Sequence, residues 1–353
     1  MKRFFPKIAI MIMWVFLLFS SVRIMTKSNL LTNKNTIHVF TFPEQFSYEA
    51  LQSFEKETGI KVIVHNFSNN EELIAKMNRT KGYDLITPSD YAVKILNDQK
   101  LLKPLDKSKL NFYKHIDPFL LNRSYDPNNT YSLPYDWEVM GFGMEKELLE
   151  KQKGSVSWDL IFDKKNKHSI AMTNDPIEAL SFASFYLTGS KQNLSAVEIT
   201  NVKNLLIEQK KSIEAYTAIR GDYFLVSENC EIALAPSSFL LKAIKQKPSI
   251  AFVLPKEGTF ITIENIAIPA TTKNEELVYK FINFIYKAEY QAEESSRFLT
   301  FPARVDALKD TSTNGAFKKA LLDTRKEKNK IHTIDMIMTE QEARQAWVEV
   351  KAS

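Results

Sequence analysis

The chain has 353 residues, of which 44% are hydrophobic, 25% charged and 12% aromatic. This composition is typical of a globular protein of about two domains, and it excludes collagen-like, low-complexity and wholly disordered chains. The net charge of +5 is mostly local, because Lys2, Arg3, Lys7 and Arg23 supply four of the five excess positive charges, and a nearly neutral remainder excludes the concentrated positive face that nucleic-acid binding requires.

Residues 1–25 carry the pattern of an export signal. A positive start is followed by twelve uninterrupted apolar residues from Ile8 to Phe19. Twelve residues are few for a membrane-spanning helix, which needs about 20. The sequence leaves open whether the segment is cleaved or kept as an N-terminal anchor. The polar residues 26–35 are interpreted as a tether, and in either case the folded part is expected outside the cytoplasmic membrane.

From residue 36 onward, short β-rich runs alternate with amphipathic segments. The first block predicts strands over 36–42, 60–67 and 83–87 and helices over 47–58, 68–78 and 91–98. Gly59 stands at a C-cap position of the first helix, and Ser68-Asn69-Asn70-Glu71 is interpreted as a capping box that opens the second. Such alternation predicts parallel strands joined by crossover helices.

A second block repeats the pattern. It predicts strands over 169–173, 232–235, 250–254 and 260–268 and helices over 176–188, 197–210, 237–245 and 275–297. The charged tail 309–353 is expected to be helical in parts, with Trp347 as a docking anchor. No Gly-, Ser- or Pro-rich linker separates the blocks, so two lobes joined by short extended segments are expected. The segments 134–143 and 260–269 are the candidate joints of a fold that closes around a small molecule.

Patterns that carry chemistry are mostly missing. The only cysteine, Cys230, excludes an intramolecular disulfide and is interpreted as a buried apolar side chain. The five histidines are scattered without metal-ligand spacing, and neither a G-x-S-x-G nor an H-E-x-x-H motif occurs. No metal, cofactor or catalytic residue is therefore predicted. A hydrolase with paired carboxylates stays open, because the separation of two acids is a three-dimensional quantity.

Acidic residues gather where predicted strands end. Ligands of open α/β sheets bind at the carboxyl ends of strands, so these acids are expected to converge on one cleft. They are Glu44, Asp90, Asp175 and Glu178, together with Glu264 of the later crossing segment. Two of the segments also admit a purely structural interpretation, in which Ser89 or Asp90 caps one helix and Asp175 caps another with Pro176 at its first position.

Seven segments together resemble the periplasmic polyamine-binding proteins, in particular those that prefer spermidine and putrescine. They are FEKETGIKV (54–62), YDLITPSDY (83–91), YDPNNTYSLPYDW (125–137), TNDPIEAL (173–180), VLPKEGTF (253–260), NIAIPATTKN (265–274) and KFINFI (280–285). The resemblance runs from about residue 36 to 302. It implies a two-lobed α/β fold of the type II periplasmic-binding-protein class, with a ligand cleft between lobes joined by crossing hinge segments.

The resemblance also implies which residues hold the ligand. Members of that family bind the ammonium groups with carboxylates from both lobes, and these positions correspond to Glu44, Asp175, Glu178 and Glu264, the last one methylene longer than the usual aspartate. Ser89 and Tyr91 match a hydroxyl and an aromatic of the loop after the third strand, whose Asp90 is kept as a candidate.

The aromatic positions of the family are less well kept. Phe42 and Phe301 replace a tryptophan and a tyrosine, and two further tryptophans correspond to Ala235 and Thr262. Substitute rings are expected among Phe46, Tyr135, Trp137 and Tyr223.

The resemblance thus implies a non-enzymatic receptor, monomeric, that delivers a polyamine to the permease and ATPase of an ATP-driven (ABC) importer. Lobe 1 is expected over 36–138 and 266–300, lobe 2 over 139–265, and a helical tail over 301–353. A receptor for a different small solute, a polyamine sensor that signals through a membrane partner and a paired-carboxylate hydrolase remain the alternatives.

Overall fold

The computed structural model describes residues 35–165, 167–191, 193–217, 221–309 and 315–353. The predicted export segment 1–25 lies outside these residues, as does nearly all of the predicted tether. The described residues form the strands β1 Thr36–Thr41, β2 Lys61–Asn66, β3 Leu85–Ile86, β4 Ser132–Glu145, β5 Ile170–Thr173, β6 Ile213–Thr217, β7 Ile232–Pro236, β8 Ile250–Val253, β9 Thr259–Ala267, β10 Phe301–Pro302 and β11 Ile331–Thr333.

Helices connect these strands and cover the sheet. In the described residues they are α1 Tyr48–Thr58, α2 Asn70–Arg79, α3 Asp90–Asp98, α4 Lys146–Lys151, α5 Asp159–Phe162, α6 Pro176–Thr188, α7 Ala196–Gln209, α8 Gly221–Val226, α9 Ser237–Gln246, α10 Glu275–Ile285, α11 Ala288–Phe298, α12 Gly315–Lys326 and α13 Glu340–Ala352. Short 3₁₀ turns occupy several of the loops.

The strands form one large mixed sheet. The order across it is β2-β1-β3-β9-β4-β7-β5-β6, with β8 and β10 added to β4 and β11 added to β9. The predicted parallel pairing is confirmed at both ends, where β1 pairs with β2 and β3, and β5 pairs with β6 and β7. The centre is antiparallel, so the loops after β1, β3, β5 and β7 all flank the two central strands.

The two segments predicted as joints are the central strands β4 and β9. They run antiparallel side by side, with Ser132 opposite Ala267 at one end and Val139 opposite Ile261 at the other. Beyond this point β4 continues to Glu145 and pairs with β7 and β8 instead. A single strand therefore takes part in both halves of the sheet.

The helix predicted over 275–297 is interrupted. It ends at Ile285, and α11 begins at Ala288 after an extended backbone at Lys287, which has φ −59° and ψ 141°. Tyr286 stands at the break, fully buried, where its ring stacks on Phe112 at 4.1 Å and its hydroxyl donates to the carbonyl oxygens of Leu133 and Pro134. The apolar periodicity of the sequence continues across Tyr286 and Lys287, but the helical backbone does not, so the sequence predicted one helix where there are two.

Two further local predictions need correction. The N-cap of α2 is Asn69, whose side chain accepts from the Glu72 amide at 2.8 Å, while the Glu72 carboxylate accepts from the Ser68 amide. The cap therefore lies one residue later than the capping box predicted at Ser68. The strand predicted over 83–87 is reduced to Leu85–Ile86, because that is where the chain pairs with β1.

Several other predictions are confirmed. Gly59 ends α1 in a left-handed conformation with φ 69°. Cys230 is buried, and burial raises the pKa of its thiol to about 12, which is the behaviour of an inert apolar side chain. The tail ends in α13, which Trp347 anchors by packing edge-on against the ring of Tyr216 at 5.0 Å.

Candidate functional site

A cavity of about 570 Å³ lies where the loops after β1, β3, β5 and β7 meet the central strands β4 and β9. Glu44 belongs to the loop after β1, Ser89 to the loop after β3, and Asp175 to the loop after β5. Thr262 and Glu264 are contributed by β9. The sequence expectation that strand-end residues share one hollow is therefore met at these positions.

Carboxyl groups dominate the charge of the cavity. Among the described lining residues, eight carry a carboxyl group and one carries an amino group. The acids are Glu44, Glu71, Asp136, Glu138, Asp175, Glu178, Asp222 and Glu264, and the amino group belongs to Lys242. Grouping like charges is unfavourable unless a cation joins them, so this lining selects for a positively charged ligand.

The central strands place two carboxyl groups opposite each other. Asp136 of β4 pairs in register with Glu264 of β9, and Glu138 follows two residues along the same face. The residues that alternate with them along β4, Tyr135 and Trp137, point to the other side and are buried in the core. The alternation of a β-strand thus separates an acidic face from an apolar one.

These central acids have incomplete hydrogen bonding. One oxygen of Asp136, Oδ2, accepts from Gln45 Nε2 at 3.0 Å and from Thr300 Oγ1 at 3.2 Å. The Glu264 oxygen Oε1 accepts from Ser89 Oγ at 2.7 Å. The second oxygens, Asp136 Oδ1 and Glu264 Oε2, are buried and receive no hydrogen bond from any described residue. Each of these two oxygens is therefore an acceptor that a ligand can use.

The pKa values of the central acids follow from this crowding. Burial, reinforced by the charge of Glu138, raises the pKa of Asp136 to about 7. Burial also raises the pKa of Glu138 to about 7, against the opposing effects of Ser238 and Lys242. The pKa of Glu264 is raised well above its usual range by burial and by the charge of Asp136. A bound cation would favour the ionised form of all three.

The start of α6 supplies a second pair of acids. Asp175 is the N-cap residue, and its Oδ1 accepts from the amides of Ile177 at 2.8 Å and Glu178 at 3.1 Å. Its other oxygen, Oδ2, accepts from the Tyr91 hydroxyl at 2.5 Å. Burial and the charge of Asp175 raise the pKa of Glu178 to about 8. Asp175 therefore has the structural role weighed from sequence and lines the cavity as well.

Polar side chains behind the acids hold them in place. Asn70 Nδ2 donates to Ser89 Oγ at 2.9 Å and to the Tyr91 hydroxyl at 3.2 Å. The Ser89 hydroxyl donates to Glu264, and the Tyr91 hydroxyl donates to Asp175. One amide thereby links acids on opposite sides of the cavity.

Three charged residues of the lining, Glu44, Glu71 and Lys242, are more exposed than the central acids. Glu44 adopts a left-handed backbone with φ 62°, which is unfavourable for a non-glycine residue and is seen mainly in special turns. Its Oε2 lies 4.0 Å from Lys242 Nζ, and the lysine also lies over the Phe239 ring at 5.3 Å from the centroid. Glu71 pairs with Arg344 of α13 at 3.6 Å.

Three of the nine predicted site residues lie behind the wall rather than in it. Asp90 and Tyr91 occupy the first turn of α3, where successive residues rotate away from the cavity, and both are buried. Burial raises the pKa of Asp90 to about 8. Phe301 packs on Trp137 and Phe317. Its neighbour Thr300 lines the cavity, and because successive side chains of an extended chain point to opposite sides, Phe301 points away from it.

The other six, Phe42, Glu44, Ser89, Asp175, Glu178 and Glu264, line the cavity. The expected substitute rings do not. Phe46, Tyr135 and Trp137 are buried in the core, and Tyr223 lies outside the lining. The rings that do line the cavity are Phe42, Phe239 and Phe298.

Sequence analysis missed Asp136 and Glu138, although a signal was present. In the run Tyr135-Asp136-Trp137-Glu138, apolar and acidic residues alternate with the period of a strand. Had the two aromatic residues been assigned to the core, the two acids would have followed as the opposite face. Phe239 and Lys242, one helical turn apart on α9, gave no comparable signal.

The described part of the chain has neither a metal-binding cluster nor a membrane-spanning helix. No group of three or more His, Cys, Asp or Glu side chains there is arranged to hold a metal ion. Within the same residues, no helix combines the length and hydropathy that crossing a bilayer requires.

Comparison with known proteins places this geometry in context. The family model described as bacterial extracellular solute-binding protein matches residues 49–319. The spermidine/putrescine-binding periplasmic protein of Escherichia coli K12 is 29% identical over 272 residues, which cover 76% of this chain and 78% of that protein. The putrescine-binding periplasmic protein PotF of the same organism is 29% identical over 287 residues, covering 75% and 77%.

A solved structure extends the likeness to the fold. The spermidine/putrescine ABC transporter substrate-binding protein PotD of Streptococcus pneumoniae superposes with a TM-score of 0.76 over 90% of this chain and 99% of that one, at 23% identity. The type II periplasmic-binding-protein fold predicted from sequence is confirmed.

Proposed function

The chain belongs to the bacterial extracellular solute-binding proteins, which are receptors and not enzymes, and from that premise we propose that it captures a polyamine of the spermidine and putrescine class. The ligand is held by carboxylates from both sides of the cavity and is then delivered to an ATP-driven importer. The curated relatives that bear spermidine and putrescine in their names support the choice of ligand.

The observation that carries the proposal is the excess of carboxyl groups in the cavity, eight against one amino group among the described lining residues. A polyamine is a slender apolar chain with ammonium groups along it. Its methylenes can lie against Phe42, Phe239 and Phe298, while its ammonium groups pair with the acids. Each hydrogen bond to a charged group contributes about 1.5–3 kcal/mol, and each cation–π contact about 0.5–2 kcal/mol.

Glu44, Ser89, Asp175, Glu178 and Glu264 are the proposed polar ligand contacts, with Phe42 as an aromatic one. The hydrogen bonds of these residues indicate what each one contributes to ligand binding. Asp175 and Glu178 present carboxyls from the start of α6, and Glu264 presents an unpaired oxygen from β9. Tyr91 supports Asp175 from behind as a positioning residue.

The proposed division places one boundary within β4 and another within β9. Lobe 1 comprises residues 36–138 and 266–300, lobe 2 comprises 139–265, and the tail 301–353 packs on both. The boundary near residue 139 is supported by β4, which pairs with β9 up to Val139 and with β7 and β8 beyond it. Closure about β4 and β9 would bring the two sets of acids onto the ligand, and a ligand that binds the closed form better shifts the population toward it.

The proposed location is the periplasm, with residues 1–25 acting either as a cleaved signal or as an anchor to the inner membrane. The proposed partners are the permease and the ATPase subunit of an ABC importer, and the receptor acts as a monomer. A paired-carboxylate hydrolase is not favoured, because the family consists of solute-binding proteins.

Isothermal titration of the purified protein with putrescine, spermidine and spermine tests this function. We expect saturable binding of one ligand per chain and no conversion of the ligand. Glu264→Gln and Asp175→Asn are expected to weaken binding by about tenfold or more, since each removes a charged hydrogen-bond partner. Glu57→Gln, at an exposed ion pair with Lys287, is the matched control and should bind like the parent protein. Absence of binding for all three amines would refute the function.

A further inference from the structure

The acids of the cavity follow the order of the strands. Glu44 follows β1 at one side, Asp175 and Glu178 follow β5 at the other, and β9 and β4 lie between them. Neighbouring strands are about 4.8 Å apart, so an extended molecule that spans the cavity passes over the two central strands. Its middle therefore lies over Glu264 of β9 and Asp136 and Glu138 of β4.

The centre also offers two unused acceptors. Asp136 Oδ1 and Glu264 Oε2 are both buried, stand on opposed residues of adjacent strands, and receive no hydrogen bond from the described residues. A buried carboxylate oxygen without a donor is unfavourable, and like charges opposite each other across two strands add to the penalty. Two such acceptors on paired residues of neighbouring strands match in number the two N–H donors of a secondary ammonium group.

Within the protein, the described lining residues supply no such donor. Lys242 is their only amino group, and it is directed to Glu44 and to the Phe239 ring. The charge of Lys242 lowers the pKa of Glu138. The charges that most affect the pKa values of Asp136 and Glu264 are those of other carboxyl groups, which raise them. The central pair is therefore left for a cation from outside.

We propose that Asp136 and Glu138, together with Glu264, bind the internal secondary ammonium group of a triamine or tetraamine, and that they thereby select such ligands over diamines. This inference rests on the proposed function. A diamine held at its two ends leaves the centre without a cation, whereas a triamine such as spermidine neutralises it. Asp136 accepts one N–H directly, and Glu138 adds negative charge on the same face.

A pair of ligands isolates the internal charge from the length of the chain. Octamethylenediamine has the same number of chain atoms between its terminal nitrogens as spermidine, but a methylene replaces the internal nitrogen. By titration calorimetry on the full chain, we expect spermidine to bind at least about tenfold more tightly than octamethylenediamine, as expected for one charged hydrogen bond. Equal affinities in the parent protein would overturn the inference by themselves.

Two variants assign the effect to residues. Asp136→Asn and Glu138→Gln keep side-chain size and remove the charge. We expect each to weaken spermidine binding by about tenfold while changing the affinity for octamethylenediamine and putrescine by less than about threefold. Glu57→Gln is the control. Equal losses for all three ligands, or an unchanged preference for spermidine, would contradict the inference.

The outcomes separate this inference from the proposed function. If the parent protein binds no polyamine, the proposed function fails and the inference fails with it. If it binds putrescine, spermidine and octamethylenediamine alike, the function stands and the inference is overturned. Because the comparison of ligands in the parent protein needs no substitution, the test holds even where a variant does not fold.

Discussion

Polyamine binding is expected to release protons, and the number follows from the cavity. Burial raises the pKa values of Asp136 and Glu138 to about 7 and that of Glu178 to about 8. At pH 7 the first two are each about half protonated and the third is mostly protonated. The ligand-free cavity therefore retains about two protons on these three groups at neutral pH.

A bound polycation lowers these pKa values, because the charged carboxylates gain partners. The ligand itself stays protonated, since aliphatic amines ionise near pH 10. Binding at pH 7 should consequently release about two protons from these three groups, in addition to any that Glu264 gives up from its raised pKa, and fewer as the pH approaches 9. The direction in which affinity changes with pH follows from this proton release. Binding weakens as the pH falls from 8 to 6, because the ligand then has to displace protons that the empty cavity holds more tightly.

Calorimetric titration in two buffers of different ionisation enthalpy measures the proton release directly. The slope of the observed enthalpy against buffer ionisation enthalpy gives the number of protons. In Glu138→Gln the release should fall by at least about half a proton, because one half-protonated group is removed and the pKa of Asp136 loses the raising effect of its charge. Proton release near zero at pH 7, with an affinity independent of pH between 6 and 8, would refute this electrostatic account.

Three further predictions concern single side chains. Tyr91→Phe removes the donor to Asp175 and should weaken spermidine binding about tenfold in calorimetry, and an unchanged affinity would contradict its positioning role. Asp136→Asn should raise the ligand-free melting temperature by a few degrees at pH 8 but not at pH 4. A buried acid with a raised pKa destabilises the folded state only when the pH is above the pKa of that acid in the unfolded chain. A lower melting temperature of the variant at pH 8 would contradict this. Trp347→Ala removes the buried ring that packs on Tyr216 and should lower the free energy of unfolding by about 3 kcal/mol in denaturant titration, whereas a change below about 0.5 kcal/mol would show that α13 is not anchored there.

The parts of the fold that sequence predicted well have local causes. The left-handed Gly59 that ends α1 and the Asp175-Pro176 start of α6 are determined by a few adjacent residues. The break at Tyr286 was not predictable in the same way. Its cause is tertiary, because the ring is held by Phe112 and by the backbone of β4.

The site residues likewise fall into those that local sequence could identify and those that depend on the tertiary structure. Glu44 and Asp175 could be found from strand ends, Glu264 from its place in the crossing segment, and all three from the family resemblance. The rotation of Asp90 and Tyr91 out of the cavity depends on where the first turn of α3 sits, and helix boundaries are uncertain by a residue or two from sequence. Asp136 was missed because the aromatic residues on either side of it were taken as candidate ligand contacts, whereas they form the face of β4 that is buried in the core.

A crystal structure of the protein grown with spermidine tests the central claim most directly. The account predicts one polyamine in the cavity, with its ammonium nitrogens about 2.7–2.9 Å from carboxylate oxygens of Asp175 or Glu178 at one end and of Glu264 near the middle. A cavity that holds only solvent under saturating ligand, or a ligand that contacts neither set of acids, would contradict it.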